Sequence, residues 1–425
     1  MSLTSGQKKI AVGSFLGWSL DGYDIVLMLL VIPSISQLFF PSSNPAFSII
    51  ATFASYTVTL IMRPLGSVIF GIYGDKFGRK KSMIITILGF SIATFSVGLL
   101  PTYAMFGVLA PVLLILVRLV QGIFAGGEWG SGAVLTIESI QKQKRGLLSG
   151  FLQSGFSFGF LLAAIAFQII TIPYQGKAFE EIGWRVLFFT GIIPGIIALF
   201  VRFSMKESPL WLQENNKKVI QRAHLRKIVL GVHKKEFILC AAIMTGLVYM
   251  YHGSISVMPT FLQQFVQIGK GEIANLMIYA TTSSWLGMIF TGVLSQKIGR
   301  KKAIIVFCAA SVLASIPLGL IIFQNNHFVI PIMIVFAFII STASGPIPAF
   351  FSERFPTALR NSAAGFSYNA GLIFGSWSPI IAVYLMTVVP REMTPIALGA
   401  NIIIGAIIVI IPTILSKETK EIELN

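Results

Sequence analysis

Apolar runs of roughly eighteen residues or more, the length a helix needs to cross a bilayer, recur from one end of this 425-residue chain to the other. Twelve such spans fit: 10–38, 47–73, 82–100, 111–138, 146–171, 184–204, 236–262, 273–296, 303–323, 329–352, 361–387 and 396–415. Only 11% of the residues are charged, less than half the ~25% of an ordinary soluble domain, and the mean hydropathy is +0.82. The expected fold class is therefore all-α integral membrane, with twelve transmembrane helices. The connections are short except for residues 205–235, a polar and basic stretch that divides six spans from six. Three regions are expected: an N-terminal six-helix bundle at 1–204, an inter-domain loop at 205–235 and a C-terminal six-helix bundle at 236–425.

The formal charge of +16 raises the question of a nucleic-acid partner, and the distribution of basic residues answers it. With the N-terminus inside, 26 of the 32 Lys and Arg fall on the cytoplasmic side, nine of them in 202–235. Lys177, Arg185, Lys270 and Arg391 fall outside, and Arg63 and Arg118 lie within spans. This asymmetry orients membrane helices, so the charge reports topology: both termini cytoplasmic, in the plasma membrane, with the lipid bilayer and not a nucleic acid as partner. The opening MSLTSGQKKI runs into a long span with no small-residue cleavage site, so no removable signal peptide is expected. Cys240 and Cys308 both sit in apolar segments, which argues against a disulfide framework or a metal site.

The halves repeat each other. GIYGDKFGRKK at 71–81 aligns with GVLSQKIGRKK at 292–302, and Glu138 and Arg145, seven apart, align with Glu353 and Arg360. Parallel six-helix repeats of this kind form transporters with a site near the midplane between them. No nucleotide loop, metal cluster or nucleophile–base spacing points to an enzyme or an ATP-driven pump.

At these residues the chain resembles the major facilitator superfamily. GIYGDKFGRKK matches that family's loop signature at every defined position, Glu138 to Arg145-Gly146 resembles its E-x6-R-G, ESPLW (207–211) resembles its motif after the sixth helix, and SERFPTALR (352–360) completes the set. RPLGSVIFGIYGDKFGRK and RLVQGIFAGGEWG are similar to the metabolite:proton symporters. LDGYDIVL, SGFLQSGFSFG and GWRVLFFTGIIP are closer to the sialate:proton symporters, and aromatic-acid symporters share the D-G-x-D. Gln296 departs from the pattern by replacing the second-half acid, and Leu210 by replacing a frequent basic residue. The resemblance implies a secondary transporter that moves a small organic anion, a carboxylate or sugar acid, with protons as the coupling ion and no cofactor, working as a monomer. A sugar or phosphate porter, an exporter and a non-transporting membrane sensor remain as alternatives.

Asp24 sits about 14 residues into the first span, roughly mid-membrane, where an ionisable group is costly and is a functional candidate by default. In related porters a Tyr-Asp in helix one and an Arg in helix four form a proton-sensitive pair, and Tyr23, Asp24 and Arg118 match those positions. The alternative is a static ion pair that fixes helix packing. Asp21, three residues earlier on the same helix face, is either a coupled second acid or part of a kink beside Gly22. Arg63 offers a carboxylate a planar fork; pairing with Asp21 or Asp24, or bending the helix with Pro64, are the other readings. Glu128 is a candidate second proton site, set among glycines that also suit close helix packing.

The polar cluster YMYHGSIS (249–256) suggests cavity lining by Tyr249, Tyr251 and His252, although a buried, satisfied histidine is the commoner case. Gln153, Ser157, Ser344, Tyr368, Asn369 and Trp377 are further cavity candidates. The resemblance assigns gating to Gly71, Asp75, Gly78 and Arg79 with Glu138 and Arg145 nearby, and to Gly292, Arg300, Glu353 and Arg360 in the second half. These would latch helix ends and favour the outward-facing state. With Gln296 in place of the acid, the second latch is expected to be weaker or differently paired.

Overall fold

A computed structural model describes residues 3–204, 229, 231–317 and 329–424. In the first half the spans are α1 (Ser5–Phe39), α2 (Pro45–Phe77), α3 (Arg79–Leu99), α4 (Leu109–Glu138), α5 (Arg145–Thr171) and α6 (Phe179–Phe203). In the second half they are α7 (Lys234–His252), α8 (Lys270–Ile298), α9 (Arg300–Ala314), α10 (Val329–Ser352), α11 (Leu359–Val388) and α12 (Thr394–Leu415). Ten helices among the described residues are long and apolar enough to cross a membrane. The other two expected spans are α7, which is interrupted, and α9, which is 15 residues long and ends at Ala314, three residues before the described stretch stops. Most of the loop at 205–235, with the ESPLW motif, lies outside the described residues.

α1 is the most enclosed helix, its apolar window 94% buried. That is why it carries charge: lipid never reaches residues 19–32, so polar groups there meet protein rather than hydrocarbon. Its N-terminus is closed by a capping box in which Thr4 and Gln7 bond each other's backbone.

The spacing of α7 predicts one helix over 236–262, but the structure breaks it. Helix ends at His252, residues 253–257 turn, and a short helix resumes at Met258. Ser254 Oγ bonds the Met250 carbonyl and Ser256 N–H reaches back to the Tyr251 carbonyl, so local polar groups replace the lost ladder.

The internal repeat is visible in the backbone. Gly78 and Gly299, 221 positions apart, occupy the same unusual conformation, φ 108° and 101°. Only glycine enters that region without strain, and each sets the tight corner between two consecutive spans. The repeat is not symmetric throughout. Gly292 in α8 lies against Gly150 in α5, where an added Cβ would come within 2.5 Å of the Gly150 Cα, whereas Gly71 faces open space.

Candidate functional site

Three charged units lie inside the first bundle, all built around α1. Asp21 accepts from Arg63 Nη2 of α2 at 2.5 Å, both side chains almost fully buried. Asp24 accepts from Thr94 of α3 and, at 2.5 Å, from the Gln121 amide of α4. The Gln121 carbonyl in turn accepts from Arg118 Nη1 at 2.5 Å, leaving Arg118 and Asp24 4.0 Å apart. Glu128 pairs with Arg202 of α6.

Local structure explains the geometry. Gln121 is three residues after Arg118, one turn along the same helix face, so one helix delivers both guanidinium and amide. Gly126 lets α4 press against the backbone carbonyl of Arg63, where any Cβ would collide, and this close approach brings α2 and α4 together around α1. When Asp24 takes a proton, Gln121 still accepts one hydrogen bond from Arg118, but the guanidinium loses the carboxylate charge that faces it. Breaking a buried pair by removing one partner outright costs about 3–5 kcal/mol.

Sequence reasoning missed two of these residues. Gln121 carried a usable signal, an amide inside an apolar span one turn from Arg118; the structure buries it fully. Arg202 was counted among the loop charges of 202–235. It is instead 1% exposed, inside α6, and bonded to Glu128. The count of basic residues on that face falls accordingly.

Between the halves lies a small cavity of about 50 Å³. Arg63, Gln153, Tyr251, His252 and Tyr368 line it, as does Ser344. Four other proposed substrate residues are placed elsewhere. Tyr23 bonds Thr190 of α6 at 2.6 Å, Asn369 donates to the carbonyls of Gly126 and Gly365, Tyr249 is not part of the lining, and Trp377 is 47% exposed. Successive helical residues point about 100° apart, so Trp377 and Tyr249 face away from the lining formed by Tyr368 and Tyr251. Trp18 and Phe156 add aromatic wall, and Trp129 stacks on Tyr368 at 3.7 Å between centroids.

Contacts between the halves lie on both sides of the cavity. On one side Tyr56 Oη meets His252 Nδ1 at 2.8 Å, Thr57 donates to the Ser376 carbonyl, and Lys270 lies 4.0 Å from Glu180. On the other, basic face, Arg360 donates to Glu138 at 2.5 Å, and Arg145 lies 3.8 Å from Glu353, which also takes Arg300 at 3.3 Å. The E-x6-R pairs therefore do not close on themselves; each acid meets the other half's arginine. Burial pushes the Glu353 carboxyl above its ordinary range, opposed by Arg300. Gln296, the departure from the loop motif, accepts from the Gly146 N–H of the first half at 3.1 Å and from Arg300 at 2.9 Å. An amide oxygen there joins the halves without adding charge. The side chains of Asp75 and Arg79 lie outside the described set.

Residues 12–379 match the sequence profile of the Major Facilitator Superfamily. The chain is 32% identical to the inner membrane metabolite transport protein YhjE of Escherichia coli strain K12 over 403 residues, covering 90% of this chain and 89% of that one. It is 28% identical over 393 residues to the glycine betaine/proline/ectoine/pipecolic acid transporter OusA of Dickeya dadantii, covering 89% and 77%. Its fold is similar to the xylose transporter XylE from E. coli in a partially occluded inward-open conformation, with a TM-score of 0.77 at 20% identity, covering 99% of this chain and all of that one. With the profile spanning most of its length, this chain belongs to the Major Facilitator Superfamily, a family of membrane transport proteins and not of enzymes.

Proposed function

We propose that the protein is a proton-coupled secondary transporter of a small carboxylate-bearing metabolite, working by alternating access in the plasma membrane with both termini cytoplasmic. The observation that carries this reading is the buried Asp24–Gln121–Arg118 unit beside a cavity that presents the Arg63 guanidinium. Asp24 carries the proton. Its charge state sets what the Arg118 unit costs to bury, and that cost differs between conformers open to water and conformers closed to it. Proton and substrate then need only differential affinity for the two states to be coupled. Asp21, Glu128 and Arg202 tune the same field.

Arg63 binds the carboxylate. Its Nη2 is engaged by Asp21, while its Nε has no partner among the described residues. The Asp21–Arg63 pair is neutral overall, and this favours a second reading in which the substrate is zwitterionic, its cation against the aromatic wall of Trp18, Phe156 and Tyr368. The relative OusA, a betaine and proline transporter by name, is in keeping with it. The paired guanidinium and the aromatic wall favour either carboxylate over phosphate.

The test is uptake into proteoliposomes against a panel of carboxylates, betaines, neutral sugars and phosphate, with and without an imposed pH gradient. Accumulation of a carboxylate or betaine only with the gradient is expected. Equal accumulation without any gradient would overturn proton coupling, and preference for a neutral sugar would overturn the role given to Arg63.

A further inference from the structure

After α12 ends at Leu415, the chain turns back across the basic face as an irregular segment, residues 416–424. Its first part is anchored to the second half. The Glu418 carboxylate accepts from the backbone N–H groups of Arg300 and Lys301 at 3.0 and 3.1 Å, capping α9, whose own N-cap Gly299 has no side chain to do so. Thr419 donates to Glu353 at 2.7 Å, Arg354 to the Lys417 carbonyl at 2.7 Å, and Lys420 to the Lys297 carbonyl at 3.1 Å.

The last part is laid on the first half. Arg145 Nη1 donates to the Ile422 carbonyl at 2.9 Å, and Lys142 pairs with Glu421 and Glu423 at 3.0 and 3.2 Å. Hydrogen bonding to Lys142 holds the Glu421 carboxyl below its ordinary range. Leu424 packs on a small apolar cluster that joins Ala11, Ile137 and Leu148 of the first half to Ala349 of the second.

We propose that residues 421–424 form a tethered strap that holds the basic face shut, so that their release from Lys142 and Arg145 is a step in opening that face. The anchor at 416–420 and the docked end at 421–424 lie on opposite sides of the seam crossed by Arg360–Glu138 and Arg145–Glu353. Parting the halves there must break the docked contacts and leaves the anchor untouched. A contact present in one state and absent from the other shifts the equilibrium by its own free energy. The exposed Lys142 pairs add little on their own; the Arg145 bond and the Leu424 contact carry the strap. It requires that the two halves part on this face, but not that protons or a carboxylate drive them.

The test is double electron–electron resonance on the full chain in nanodiscs, without substrate or pH gradient. Spin labels go at Gln143 and Lys302, exposed positions on either side of the seam. Removing 421–425, or changing Leu424→Asp, should raise the ratio of long to short distances about tenfold, equivalent to about 1.4 kcal/mol. A folded Leu424→Asp chain with the parent's distance distribution overturns the strap, whether or not the shortened chain folds. If Arg360→Ala opens the face while both strap variants leave it closed, the strap fails and alternating access stands. Arg360→Ala that leaves the seam closed as well counts against both.

Discussion

Arg360, near the start of α11, donates to the carboxylate of Glu138, at the end of α4, across the seam between the two halves at 2.5 Å. Its counterpart by internal repeat is Arg145 with Glu353, at 3.8 Å. The two halves thus exchange partners at equivalent positions, and the closed basic face is held by pairs that neither half makes alone.

Reversing one member of the tighter pair should open that face. Glu138→Arg places two cations together, and the lost pair is worth about 3 kcal/mol, a roughly hundredfold change in the open-to-closed ratio. Glu138→Arg combined with Arg360→Glu should restore closure. Distances between labels at Gln143 and Lys302 read both outcomes, and a double variant as open as the single one would refute the pairing.

Asp24→Asn should abolish accumulation driven by a pH gradient, because the side chain no longer changes charge, while the amide still accepts from Thr94. Exchange of substrate across the membrane at equal concentrations is expected to continue at a reduced rate. Uphill uptake at the parent level would remove Asp24 from the role of proton carrier.

Gln121→Leu conserves size and removes both hydrogen bonds of the bridge. Buried Arg118 Nη1 and Asp24 Oδ2 each lose a partner, at about 1–3 kcal/mol per group. The expected result is a lowered melting temperature in detergent and loss of gradient-driven uptake. Parent-level stability and uptake would show that the amide is a bystander.

Arg63→Lys keeps the charge beside Asp21 but loses the planar fork. For a carboxylate substrate the half-saturating concentration should rise about tenfold, at an assumed loss near 1.4 kcal/mol, with proton movement spared. An unchanged half-saturating concentration means that the guanidinium balances Asp21 and does not touch substrate.

Gly292→Leu inserts a branched side chain where α8 meets the backbone of α5 at Gly150. The basic face should then fail to close, and transport should fall at least about tenfold in a chain that still folds. Spin-label distances matching the closed parent would contradict the close approach.

The membrane class and the duplication were legible because both are local patterns: apolar run length, and a loop signature repeated 221 positions later. The paired glycines Gly78 and Gly299 carry that repeat into identical corners. Depth within a span also singled out Asp24, Asp21, Arg63 and Arg118. The resemblance pairs Asp24 with Arg118, which lie 4.0 Å apart, but left Arg63 open between Asp21 and Asp24, and the Gln121 bridge was not legible. Arg202 was misread for a related reason, since proximity to a basic loop in sequence says nothing of which way a helix end is covered.

Sequence by itself determined that this chain crosses the membrane as two related halves with charge buried in the first, because hydrophobic length and the cost of burying ions in hydrocarbon act residue by residue. Only the tertiary structure decided that Asp21 takes Arg63, that Gln121 stands between Asp24 and Arg118, and that Glu138 meets Arg360 instead of nearby Arg145. The turn at 139–144 separates the ends of α4 and α5. Helix packing brings Arg360 to Glu138 from 222 positions away, and that packing depends on every other contact in the fold.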